Sequence, residues 1–154
     1  MLTDDELAEI ESELRDCPER RACCVEALKI VQRHHRWVSD EDLAELAHLL
    51  AMSVDELDGV ATFYPFIYRR PVGRHVILVC DSMVCWTMGY EGVVRTIGDE
   101  LGISLGETSS DDRFTLLPIS CIGECDHAPA FIIDSDVYRD MTPERARTVL
   151  ERYA

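Results

Sequence analysis

The sequence predicts an α+β chain in two parts, a helical bundle at the N-terminus followed by a smaller α/β domain. Three observations carry that reading. Up to about Phe63 the apolar residues recur at three- and four-residue steps behind Ser and Thr capping signals. The stretch YPFIYRRPVGR then concentrates aromatics, prolines, a glycine and arginines, which suits a connector better than a regular element. Beyond it, short apolar runs alternate with helical spacing. The boundary is placed near Pro71 to Gly73, which gives a bundle and connector over 1–72 and an α/β domain over 73–154.

Each element has a local cause. Thr3 with Glu6 forms a capping box, and Leu7, Ile10 and Leu14 then share one helical face up to Pro18. The run ERRACCVEALKIVQRHH reads as a second helix whose apolar stripe is Cys24, Ala27, Leu28 and Val31. Ser39 and Asp42 open a third helix through Leu43, Leu46, Ala47 and Leu50, and Ser53 with Glu56 opens a short fourth through Leu57 and Val60. HVILVC is a buried strand ending at Cys80, with a loop through Cys85. Gly89 to Leu101 has helical spacing at Val93, Val94, Ile97 and Leu101, and Gly102 is its C-cap. FTLLPISC is a second strand ending at Cys121, which Pro118 assigns to an edge or a bulge. AFIID and DVYRD form a hairpin, and Thr142 with Pro143 starts a terminal helix. The order strand, helix, strand, strand, helix defines an α/β sandwich of thioredoxin-like type.

Charge narrows the function classes. With 15 basic and 30 acidic residues the formal net charge is -15, which repels nucleic acid and anionic membrane surfaces. The start MLTDDELAEIE has neither the basic nor the apolar region of a secretory signal, and no apolar run approaches the ~20 residues of a membrane span. The expected compartment is therefore the cytoplasm, where thiols stay reduced. Seven cysteines there point to burial, metal or redox chemistry rather than a disulfide frame. Cys17, Cys23 and Cys24 lack a partner pair at metal spacing and read as structural thiols, and without any C-x-x-C disulfide exchange is discounted.

The remaining four cysteines form two pairs, CDSMVC from Cys80 to Cys85 and CIGEC from Cys121 to Cys125. Both pairs begin where a strand ends, so neighbouring strands bring all four thiols to one end of the sheet. Crowded thiolates repel one another unless a cation or cluster holds them. Gly123 supplies the bend that turns amide N–H groups toward sulfur. Zinc favours tight C-x2-C knuckles, and a [4Fe-4S] cube draws on a C-x2-C-x2-C run. Spacings of C-x4-C and C-x3-C favour a [2Fe-2S] rhomb with two thiolates on each iron, and zinc or incidental burial remain the alternatives.

CDSMVC, then RFTLLPISCIGECDHAP, a short strand and a terminal helix resemble the thioredoxin-like [2Fe-2S] ferredoxin family, in particular the 24-kDa type subunits of bacterial NADH-quinone oxidoreductase. The helical half with ATFY is similar as well. The resemblance implies Cys80, Cys85, Cys121 and Cys125 as ligands of one [2Fe-2S] cluster. It implies that the cluster exchanges electrons with the FMN of a partner flavoprotein subunit, which also binds NADH, beside other peripheral-arm subunits. It places the chain on the cytoplasmic side of the inner membrane through its complex, without direct insertion. The chain has no G-x-G-x-x-G or phosphate loop of its own. An equivalent subunit of an NAD-linked hydrogenase or formate dehydrogenase is the near alternative, and a zinc-stabilised interaction module is the alternative of another class.

Other side chains carry weaker expectations. Trp86 and Met88, directly after Cys85, are expected to cover the cluster from water. His127 reads as a solvated loop residue rather than a donor to the cluster. His34, His35, His48 and His75 read as surface or core-edge residues. Phe63, Tyr64, Phe66, Ile67 and Tyr68 with Arg69 and Arg70 serve either the core or a partner contact.

Overall fold

The computed structural model describes residues 2–153. Its contacts divide the chain into two units, Met1–Pro71 and Val72–Ala154.

The first unit is built on four α-helices. Helix α1 (Asp4–Arg15) starts on the capping box formed by Thr3 and Glu6, and α4 (Val54–Phe63) on the one formed by Ser53 and Glu56. Ser39 caps α3 (Asp40–Leu49) through the Asp42 N–H. Much of the acidic excess sits in these first turns, where negative charge complements the helix dipole. The second helical run is not continuous: residues Arg20–Cys23 form a 3-10 turn, and α2 proper is Cys24–His35. The helix therefore buries Ala27, Leu28, Ile30 and Val31, while Cys24 at its first position is only half-buried. The core is completed by Ile10, Leu14, Leu43, Leu46, Leu50 and Leu57.

One feature of this unit differs from the sequence expectation, and one core-edge side chain has partners the sequence does not reveal. Cys17 and Cys23, read as separate thiols, are joined as a disulfide with Cα atoms 6.2 Å apart. The chain turns between α1 and the 3-10 segment, and the turn brings the two residues together. His35 is intermediate in exposure, at the core edge as expected, and meets two buried carboxylates there: its Nε2 lies 3.0 Å from Glu6 of α1 and its Nδ1 2.8 Å from Asp42 of α3.

Burial raises the Asp42 carboxyl, but hydrogen bonds from His35 and Ser39 and the charge of His35 outweigh it, and its pKa falls from 3.8 to about 2. A folded-state pKa depressed below the unfolded value stabilises the fold above that value, and the contribution is lost as pH falls toward 2. The shift corresponds to about 2 kcal/mol at neutral pH. Asp42→Asn is expected to lower stability to denaturant by about 1–2 kcal/mol at pH 7, with the gap to wild type closing as pH approaches 2. A gap that stays constant from pH 7 to pH 2.5 would show that the carboxylate charge is not its source.

The connector is built from opposite behaviours of adjacent residues. Ile67 is buried, whereas Phe63, Tyr64 and Phe66 are exposed. Gln32 accepts from the Tyr68 N–H at 2.6 Å and donates to the Phe66 carbonyl at 2.7 Å. Arg69 is engaged within the unit, donating to Asp58, Asp40 and the Val38 carbonyl, which fixes the connector on α3 and α4.

The second unit is a four-stranded sheet in the order β2-β1-β3-β4, where β1 is His75–Cys80, β2 Phe114–Ile119, β3 Phe131–Ile133 and β4 Asp136–Tyr138. The parallel pair β1 and β2 aligns Cys80 with Ile119, and the antiparallel pair β1 and β3 aligns Val79 with Phe131. Strand β2 lies at the sheet's edge, which accommodates Pro118 and its missing N–H. The segment after β1, read as loop, contains a short helix α5 (Met83–Thr87) before α6 (Tyr90–Leu101). Gly102 ends α6 at φ +66°, as a C-cap glycine does. Helix α7 (Pro143–Leu150) begins on Thr142 with Pro143 at its first position. Val93 and Ile97 of α6, Ala146 and Val149 of α7, and Phe114, Leu116, Phe131 and Ile133 of the sheet form this unit's core.

Candidate iron-sulfur site

Parallel pairing of β1 and β2 directs both strands to the same end of the sheet, and both cysteine pairs lie there. Cys80 is the last residue of β1, while Cys121 follows β2 by two residues, so the strand stops short of it. Cys85 sits in α5 rather than in a loop, on the one buried face of that helix. Cys125 opens a 3-10 turn, Cys125–His127, which leads to a cis Ala128–Pro129 peptide.

The inner and outer pairs differ in environment. Cys80 and Cys85 are 1% and 2% exposed, whereas Cys121 and Cys125 are exposed with their sulfurs 3.2 Å apart. Burial raises the Cys80 thiol, but hydrogen bonds from the Ser82 hydroxyl and N–H, the Cys85 thiol and the Ile122 N–H outweigh it, and its pKa falls below the ordinary thiol value. Cys85 is raised by burial and by the adjacent Cys80, although the Ala130 N–H donates to it. Cys125 is raised by its hydrogen bond with Cys121 and by the charges of Cys121, Cys80 and Asp126. Charge on Cys80 is therefore felt at Cys125, from one pair to the other. Among the described residues no group of three or more His, Cys, Asp and Glu side chains is arranged to hold a single metal ion.

Backbone donors line the cradle. Gly123 adopts φ +88° and its N–H points to Cys121 Sγ at 3.4 Å, the bend expected from the sequence. A Cβ at Gly123 meets no atom within 4 Å, so the cost of a side chain there is conformational rather than steric. Gly123→Ala is expected to cost about 1 kcal/mol in thermal unfolding and to speed iron release as the strained loop withdraws its N–H. Iron release at the wild-type rate would show that this N–H contributes nothing to retention.

Three further residues of the site carry no motif that singles them out in the sequence. Ser82 precedes α5 as an N-cap, yet its hydroxyl makes no capping bond and lies 3.2 Å from Cys80 Sγ instead. Glu124 and Arg139 are the other two: a pair of 2.6 Å bonds clamps the Cys121–Cys125 loop to the residue after β4. His127 turns away to Asp140 at 3.1 Å and remains about half exposed.

Trp86 and Met88, expected to cover the site, are 57% and 61% exposed; Trp86 lies on α5, whose one buried residue is Cys85, and Met88 is its C-cap. Burial of the inner pair comes instead from the sheet and from the segment around Ala128 and Ala130.

The residues fit an iron-sulfur group on the chemistry of the donor set. Four sulfurs arrive as two pairs, and the groups that approach them are N–H, O–H and S–H donors rather than lysine or arginine side chains. Such donors stabilise thiolate ligands of iron.

A fold of this topology with paired strand-end thiols defines a class of ferredoxin-like electron carriers. Residues 10–154 match the model of the thioredoxin-like [2Fe-2S] ferredoxin family, and the chain belongs to that family. It is 47% identical over 153 residues to the E subunit of NADH-quinone oxidoreductase from Pseudomonas aeruginosa, covering 99% of this chain and 92% of that protein. It is 46% identical over 144 residues to the corresponding E subunit from Escherichia coli strain K12, covering 94% and 87%. Among solved structures it is similar to the NAD+-reducing [NiFe]-hydrogenase in its air-oxidized state, with a TM-score of 0.71 and 23% identity, a likeness of fold. That match covers 85% of this chain and 22% of the hydrogenase chain. Among the described residues no helix is long and apolar enough to cross a membrane.

Proposed function

We propose that this chain is the electron-transfer subunit of an NADH-quinone oxidoreductase, holding one [2Fe-2S] cluster on Cys80, Cys85, Cys121 and Cys125. In this reading it exchanges electrons with the FMN of a partner subunit that oxidises NADH, on the cytoplasmic side of the inner membrane. The observation that carries the cluster assignment is the parallel register of β1 and β2, which brings two thiol pairs to one end of the sheet. The parent complex is supported by near full-length identity to the E subunits of two bacterial NADH-quinone oxidoreductases.

A bound [2Fe-2S] cluster supplies one-electron transfer. The chain's own residues hold and tune it. Donors from Ser82 and Ile122 favour the thiolate of Cys80, and the clamp between Glu124 and Arg139 fixes the loop that carries the outer pair. Exposure of Cys121 and Cys125 leaves that side of the site within reach of a partner. The test is purification from cells with iron-sulfur assembly intact. The expected product is reddish-brown, contains iron and acid-labile sulfide in equal amounts, bleaches on dithionite and gives a rhombic paramagnetic signal when reduced. A colourless product carrying zinc would sink the proposal, and co-purification with a flavoprotein tests the parent complex.

A further inference from the structure

The disulfide between Cys17 and Cys23 closes the turn between α1 and α2. The residues it encloses do more than connect two helices. Arg20 chelates Glu11 of α1 at 2.9 and 3.2 Å and donates to the Leu49 carbonyl at the end of α3 at 3.0 Å. Arg21 lies 3.4 Å from Glu56 in the first turn of α4. One short covalently closed turn between α1 and α2 thus reaches α1, α3 and α4.

The three thiols of this turn are unequal. Cys17 is half-buried, Cys23 is 7% exposed with its sulfur 3.6 Å from the Glu13 carbonyl, and Cys24 is half-buried and free. In a compartment that keeps thiols reduced, which is part of the functional reading above, such a bridge is reversible rather than permanent. We infer that Cys17 and Cys23 form a thiol-disulfide switch, oxidised by a small disulfide of the glutathione type, that fastens the turn carrying Arg20 and Arg21.

The more accessible Cys17 thiolate attacks one sulfur of the small disulfide, breaking its S–S bond and releasing one small thiol. The Cys23 thiolate then attacks Cys17 in the mixed disulfide and displaces the second small thiol, closing the bridge. The two cysteines lose two protons and two electrons, and both end on the two released thiols. A dithiol reductant runs the exchange backwards.

The experiment equilibrates the cluster-loaded protein in glutathione buffers from reduced to oxidised, quenches with acid, alkylates free thiols in denaturant and digests with trypsin without reduction. In oxidised buffer, peptide 16–20 is expected to be linked to peptide 22–29, with Cys24 alkylated. In reduced buffer both peptides should appear separately, with all three cysteines alkylated. Cys24→Ser should keep the link, and Cys17→Ser should lose it. Oxidation should also raise the thermal midpoint of the wild type by roughly 5 °C or more, and leave that of Cys23→Ser unmoved. Absence of the link in oxidised buffer, its persistence in reduced buffer or a link through Cys24 would each overturn the switch. Visible absorption of the cluster, read on the same samples, reports separately on the iron-sulfur assignment.

Discussion

Cys80→Ala is expected to lower the iron content of the purified protein at least about tenfold, with loss of visible absorption and of the paramagnetic signal. The residue matters twice. It ends the strand at the centre of the converging thiols, and it is the cysteine whose thiolate the protein favours most clearly, through Ser82, Cys85 and the Ile122 N–H. Alanine removes the sulfur and leaves those donors aimed at nothing. Serine is a poorer test, because its oxygen can itself ligate iron. Since Cys80 is buried, the companion variant is Cys125→Ala, which removes an exposed thiol with little risk to packing and is expected to lose iron to a similar degree. Cys24→Ser, in the other unit, is the control that keeps full iron. If Cys80→Ala and Cys125→Ala both folded and both kept native iron and sulfide, the four-thiol cradle would be wrong.

The convergence behind that result is legible in the chain because it depends on few facts. HVILVC and the strand before Cys121 are short apolar runs, each with a cysteine at or near its end, and a parallel pair carries both ends to one place. Capping signals are equally legible: Thr3, Ser39, Ser53 and Thr142 all start helices in the structure. What the sequence hides is of another kind. The α5 helix is five residues long, too short for periodicity to register, so its exposed Trp86 reads as a residue with an inward face. The Cys17–Cys23 bridge depends on how a turn closes, and cysteine spacing carries no signal for that. The donors from Ile122 and Ala130 are backbone N–H groups, which every residue type but proline supplies alike. The place of His35 at the core edge is legible, but its two carboxylate partners are not, because they come from helices on either side of it in the chain.

Phe131→Ala is expected to cost about 3–5 kcal/mol of stability and to weaken cluster retention as well. The ring is fully buried in the core shared by the sheet, α6 and α7, and packs on Tyr138 with centroids 5.3 Å apart. Alanine leaves a cavity beneath the middle of a four-stranded sheet whose β3 and β4 are only three residues long, so few neighbouring bonds resist a shift. The consequence reaches the site through the residue next to it. Ala130 accepts from the Cys80 N–H at 3.2 Å, and its own N–H donates to the Cys85 thiol, so a displaced β3 start disturbs the backbone of Cys80 and a donor to Cys85. Phe131→Leu keeps most of the apolar volume and should recover most of the stability. Denaturant unfolding of the cluster-loaded protein, read together with iron release, separates the two effects. Should Phe131→Ala lose stability and release iron at the wild-type rate, the inner thiols do not depend on the position of β3. Faster release in Phe131→Ala with recovery in Phe131→Leu would mean that the core beneath β3 holds the inner half of the cradle in place.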